Sequence, residues 1–157
     1  MVAAAPMRIS VRLSVLVLTG FCFPALATLG EMDTSVERDS TALHAVRAAV
    51  AVNATSHRMQ ELANARSTVH QYADATGRIF AVTWTGLGHP DLAVLFGSYY
   101  AEYQAAVQTG AVKRGGRLSS TQTNDLVVRL SGLPRHVGGL AYVPSLLPAG
   151  VDPRALK

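Results

Sequence analysis

The 157-residue chain is poor in the residue types that anchor many exported or catalytic domains. It has one cysteine, Cys22, and that residue lies within the first 27 positions. Beyond it there is no thiol, which excludes structural disulfides, Cys-ligated zinc and a thiol nucleophile from residues 28–157. Lysines are two, Lys113 and Lys157, one in an expected loop and one terminal, so a desolvated catalytic lysine is not indicated. There is no Gly-x-Ser-x-Gly elbow and no Ser-x-x-Lys pair. Residues 1–27 contain no acidic residue at all.

What is present divides at that point. Residues 1–27 hold 19 apolar residues together with Arg8 and Arg12. Leu13 to Phe23 is an apolar run interrupted only by Ser14, Thr19 and Gly20, and Pro24 ends it. Ala25-Leu26-Ala27 is a small-x-small cleavage site, which places the cut before Thr28. The run is shorter than the roughly 20 apolar residues a membrane span needs. Phe21 stands where a lipoprotein-processing enzyme requires a small residue, so Cys22 is not read as a lipid anchor, and no twin-arginine pair is present. Met7, directly before Arg8, is an alternative start. The expectation is a secretory signal peptide and an exported protein, periplasmic or secreted, with no transmembrane span once the signal is removed.

The remaining 130 residues are about 45% apolar and carry 12 basic and 10 acidic residues, a net +2. That is an ordinary globular composition and a length suited to one domain, 28–157. Thr34-Ser35-Val36-Glu37 fits a capping box, and Val36, Leu43, Val46 and Val50 recur at helical spacing, so a helix is expected over 35–50. Residues 57–63 read as an ambiguous extended segment. Thr68–Ala73 and Arg78–Thr85 read as strands joined by an Asp74-Ala75-Thr76-Gly77 hairpin loop, in which Gly77 supplies positive φ. In the second strand Phe80, Val82 and Trp84 share one face and Ile79, Ala81 and Thr83 the other. Both faces are largely apolar, so this strand is expected at the centre, covered on both sides.

Pro90 at a first helical position and Asp91 in the first turn open a second helix, 90–108, with an apolar stripe of Leu92, Leu95, Phe96, Tyr99, Tyr103 and Val107. Residues 110–124 read as a solvated, mobile loop. Strands 125–131 and 137–143 follow as a C-terminal hairpin, and an irregular tail over 144–157 is pinned by Leu146 and Leu147. The fold class is α+β: an N-terminal helix, an antiparallel β-meander, a central amphipathic helix and a C-terminal β-hairpin.

Candidate chemistry is sparse. The histidines His44, His57, His70, His89 and His136 are separated by 13, 13, 19 and 47 residues, without the close pairs typical of metal sites. Gly86-x-Gly88-x-x-Asp91 lies between strand and helix, but Asp91 replaces the third glycine and would oppose a pyrophosphate. No cofactor or metal is indicated. Asn53-Ala54-Thr55 matches a glycosylation acceptor, a tripeptide that also arises by chance. Lys113-Arg114-Gly-Gly-Arg117 is of a kind that meets anionic lipid, cell-wall polymer or nucleic acid, although a solvated loop is the plainer reading and nucleic acid is not favoured for an exported chain. Trp84, Tyr99, Tyr100 and Tyr103 are the candidate ligand or partner contacts, with core packing as the plainer reading for the residues at helical spacing.

The blocks Phe80-Ala81-Val82-Thr83-Trp84-x-Gly86, Pro90-Asp91-Leu92-x-x-Leu95-Phe96-Gly97-x-Tyr99-Tyr100, Asp125-Leu126-Val127-Val128 and Ala141-Tyr142-Val143-Pro144-x-Leu146-Leu147-Pro148-Ala149-Gly150-Val151 resemble the "domain of unknown function 2844" family of exported bacterial proteins. The resemblance implies export and a shared fold, and it carries over no catalytic residue. Two readings of function follow. The first is a non-enzymatic periplasmic or envelope-associated module that binds an envelope component or another exported protein, through a groove lined by Trp84 and Tyr100. The alternative is a small exported hydrolase or other enzyme that brings His89, Asp91 and His136 together in one pocket.

Overall fold

The computed structural model describes residues 29–33, 40–48, 57–133 and 135–157. The expected leader with its cleavage site at Ala25, Ala27 and Thr28, and the Asn53 tripeptide, lie outside these residues. Eight strands form one antiparallel sheet: β1 Val46–Ala48, β2 Arg58–Ala63, β3 Ser67–Ala73, β4 Ile79–Gly86, β5 Lys113–Gly115, β6 Leu118–Gln122, β7 Val127–Leu133 and β8 His136–Tyr142. Their spatial order is β1-β2-β3-β4-β8-β7-β6-β5. Two four-stranded meanders therefore meet at a β4–β8 seam that runs from Ala81↔Tyr142 to Gly86↔Val137. Between β4 and β5 the chain forms α1 Leu92–Phe96, a 3-10 turn Gly97–Tyr99 and α2 Tyr100–Gln108. The architecture is α+β and mostly sheet.

The helical segment covers one face. Leu62, Val69, Val82, Trp84, Val128 and Ala141 form a buried cluster there with Leu95 and Phe96. On the opposite face Tyr72, Phe80 and Ala81 are packed by the tail residues Leu146, Leu147, Val151 and Leu156. The tail carries two single 3-10 turns, Pro144–Leu146 and Pro153–Ala155. It is tied down where the Tyr72 hydroxyl donates to the Lys157 carbonyl oxygen and His70 Nδ1 approaches the same oxygen at 2.7 Å. Covered on both sides, β4 is buried from Ile79 to Trp84, as the apolar character of both its faces predicts.

Five local features depart from the sequence expectation. Of the expected 35–50 helix, residues 34–39 and 49–50 lie outside the described set. Residues 40–42 are helical, but Val46–Ala48 pair with β2 as a strand, and Val46 is 77% exposed rather than on a buried stripe. His44 at φ 48° turns the chain between the two. In β4, Ala73 pairs with Ile79 while Tyr72 pairs with Ala81, so Phe80 is an extra residue in the ladder. That bulge reverses the alternation. Ile79 joins Val82 and Trp84 on the helix face, and Phe80 joins Ala81 on the tail face.

The expected 90–108 helix is broken at Gly97, whose φ of 50° and ψ of −119° interrupt it. It also starts later: Asp91 is the N-cap, and its carboxylate accepts from the Ala93 N–H at 2.9 Å and the Val94 N–H at 3.4 Å. The expected 110–124 loop holds the β5–β6 hairpin, so the C-terminal half is a four-stranded meander and not a lone hairpin. The turn expected over 132–135 is tighter, since Gly132 and Leu133 are still paired with Val137 and His136.

Candidate functional site

One row of cross-strand partners fixes the end of the sheet where the candidate residues gather. Ser67 pairs with Gly86, Gly86 with Val137, Val137 with Gly132, and Ser131 with Leu118. Four connections therefore emerge side by side: the β2–β3 turn, the β4–α1 loop, the β5–β6 turn and the β7–β8 turn. The Leu87 N–H donates to the Arg66 carbonyl at 2.7 Å, and the Gly132 N–H to the Arg117 carbonyl at 3.0 Å, which ties the turns to their neighbours. Gly86 is required by this closeness, because a Cβ there would lie 2.2 Å from the Arg66 carbonyl oxygen. Gly86 of the Gly86-x-Gly88 segment thus serves loop packing.

These connections and the strand ends beside them carry Arg66, His89, Arg114, Arg117, Arg135 and His136. The one described acidic side chain on them is Asp91, whose carboxylate is engaged by the helix N-terminus. Among the described residues none of the four arginines makes an ion pair. His89, Arg114 and Arg117 line an open cleft of about 290 Å³, together with Ser119, Ser131 and the backbone at Gly116 and Gly132. The lining contains no carboxylate.

The cleft is linked to the core through His89, which Trp84 holds from behind the lining. Trp84 is 1% exposed. It lies so close over Gly139 that a Cβ there would sit 2.1 Å from the indole Cζ2. The indole N–H donates to His89 Nδ1 at 3.0 Å. Indole is a donor only, so Nδ1 must be the acceptor, and the neutral imidazole carries its proton on Nε2. His89 thereby offers an N–H donor, which suits an anionic or carbonyl oxygen in the cleft.

The sequence candidates fall into place unevenly. Trp84, Phe96, Tyr103 and Tyr100 form a chain of ring contacts with centroids 6.1, 5.2 and 6.3 Å apart. Trp84 is enclosed, so the expected groove lined by Trp84 and Tyr100 has no Trp84 surface to offer. Tyr99, half-buried, packs over Gly30. Tyr100 and Tyr103 are half-buried against the core. Burial raises the Tyr103 phenol above its ordinary value, and neighbouring Tyr100 adds to the shift.

His89, Asp91 and His136 share an end of the sheet, but no hydrogen bond or ion pair joins any two of them. His89 is spoken for by Trp84 and Asp91 by the helix cap. Among the described residues no group of three or more His, Cys, Asp or Glu side chains is placed to hold a metal ion. Arg66 and Arg135 were not candidates from sequence. They are 69 positions apart in the chain, and only the strand register unites them. The available signal was local: each sits in a turn between strands.

The family model described as "Protein of unknown function (DUF2844)" matches residues 25–156. The chain belongs to this family. The match includes every strand of the sheet and all four connections at its basic end. No curated protein and no solved structure shows significant similarity to the chain. No described helix is long and apolar enough to cross a membrane.

Proposed function

We propose that this DUF2844 protein is an exported, non-enzymatic binding module, periplasmic or envelope-associated, which engages an anionic component of the envelope through the basic end of its sheet. The observation that carries this reading is the carboxylate-free cleft of His89, Arg114 and Arg117. Two guanidiniums without ion-pair partners, an Nε2–H donor and two serine hydroxyls suit phosphate or carboxylate oxygens. The leader-like segment supports an address outside the cytoplasm. The enzyme alternative needs His89, Asp91 and His136 to act together, and Nδ1 of His89 is occupied by Trp84, Asp91 caps a helix, and no hydrogen bond links His136 to either.

Trp84 is the only tryptophan, so its emission reports directly on this end of the molecule. Titrating the purified protein with inorganic pyrophosphate at constant ionic strength should change Trp84 emission saturably. Chloride alone should not, and the response should vanish in the Arg114→Gln/Arg117→Gln variant. A flat titration contradicts the anion-binding reading. Release of orthophosphate from pyrophosphate by the wild-type protein, lost in the same variant, contradicts the non-enzymatic one.

A further inference from the structure

We infer that the basic end docks on an anionic phospholipid surface, with leucines from three separate connections entering the headgroup boundary and arginines between them holding lipid phosphates. The inference deepens the proposed anion-binding role and rests on it. It comes from where the exposed apolar side chains lie. The large hydrophobic residues exposed on the described chain are Met32, Val46, Leu87, Leu118, Leu133 and Val107. Leu87 follows β4, Leu118 opens β6 and Leu133 closes β7, and the strand register sets all three at the basic end. Val46, paired with Ala63 beside the β2–β3 turn, is at that end too. Leu87 is 62% exposed, Leu118 63% and Leu133 41%.

A single exposed leucine has no special meaning. Here the leucines occupy successive tips, with Arg117 beside Leu118, Arg135 beside Leu133, and Arg66 on the turn whose carbonyl accepts from the Leu87 N–H. A protein partner would favour one contiguous apolar patch with a polar rim. A soluble polyanion would use the arginines and leave the leucines in water. Isolated apolar tips alternating with cations match a bilayer surface, where apolar side chains enter about 5–10 Å and cations stay at the phosphates. Each cation near such a surface contributes about 1 kcal/mol, a factor of about five in affinity. Three arginines and three leucines together are of the size that gives reversible peripheral binding.

The test is sedimentation of the purified protein with vesicles containing phosphatidylglycerol, against vesicles of phosphatidylcholine alone. Wild type should sediment with the anionic vesicles only. The Leu87→Ser/Leu133→Ser variant changes exposed positions outside the cleft and should bind them at least about tenfold more weakly, while it keeps the pyrophosphate response of Trp84. The Arg66→Gln/Arg117→Gln/Arg135→Gln variant should lose vesicle binding, and Met32→Ser/Val107→Ser should match wild type. Absence of vesicle binding with the pyrophosphate response intact overturns the membrane inference and leaves a site for soluble anions. Absence of both overturns the anion-binding reading itself. Vesicle binding unchanged in the leucine variant overturns the insertion.

Discussion

Both ends of the sheet cap a turn with a side chain, Asn64 at the basic end and Asp74 at the other, but they treat charge differently. At the end formed by the β3–β4 and β6–β7 turns, polar groups are consumed locally. Asp74 Oδ1 accepts from the Thr76 N–H at 2.8 Å, the Thr76 hydroxyl at 2.6 Å and the Arg78 N–H at 3.0 Å. Asp33 is paired with Arg58 at 2.8 Å. Glu102 accepts from the Asn124 N–H at 3.0 Å, and Thr123 closes its turn through Leu126. At the other end four arginines make no ion pair among the described residues, and leucines stand in solvent. The first end is built to hold the turns in shape. The second keeps charge and apolar surface unspent, which is the signature of a surface that meets something else.

The largest expected effect is in the core behind His89. Gly139→Ala places a Cβ against the Trp84 indole, a ring fixed by its bond to His89 and its contact with Phe96. We expect a loss of about 3 kcal/mol in denaturant unfolding, together with loss of the pyrophosphate response. Next comes Asp74→Ala at the self-satisfied end, which should cost about 1 kcal/mol and leave anion binding intact.

Asp74 also sets a pH dependence. Burial raises its carboxyl pKa, but the hydrogen bonds from Thr76, Arg78 and Gly77 outweigh burial and hold it below its ordinary value. Its contribution is present above about pH 4 and is lost as pH falls through the lowered folded value. Melting curves of wild type and Asp74→Asn should therefore converge in acid. A smaller effect is expected from Tyr103, whose phenol is held neutral by burial and by Tyr100. Stability should decline above about pH 10, and Tyr103→Phe should weaken that decline. The smallest effect on stability is at the basic end. Arg117→Gln should change unfolding by less than about 0.5 kcal/mol while it weakens the anion response. If Arg117→Gln instead costs as much as Asp74→Ala, the contrast between the ends fails.

The sequence patterns disclose the central elements and hide the edges. β4 is legible because apolar residues on both its faces leave few alternatives. The Asp74–Gly77 turn is legible because a side-chain cap and a positive-φ glycine must coincide there. β5 and β6 are not, because Ser119, Ser120 and Gln122 look like a loop. Their strand character comes from backbone pairing, β6 to β7 and β5 to β6, with Thr121 as the buried position. The C-terminal part of the expected first helix misleads for the reverse reason. Val46 keeps helical spacing with Leu43, yet edge pairing to β2 decides its conformation. The Phe80 bulge depends on register with β3, which no single strand announces. At the site, His89 and Lys113–Arg117 stood out as separate features. Their relation to Arg66 and Arg135 is a property of strand order alone.

The most direct test of the contrast between the ends is backbone amide mapping by NMR of the purified, isotopically labelled protein during pyrophosphate addition. Shifts clustered at residues 87–91, 114–119 and 130–132, with Trp84 Nε1 among the most affected and residues 74–78 and 123–126 unmoved, are the predicted result. Shifts centred on 74–78 or 123–126, or spread evenly over the sheet, would contradict it.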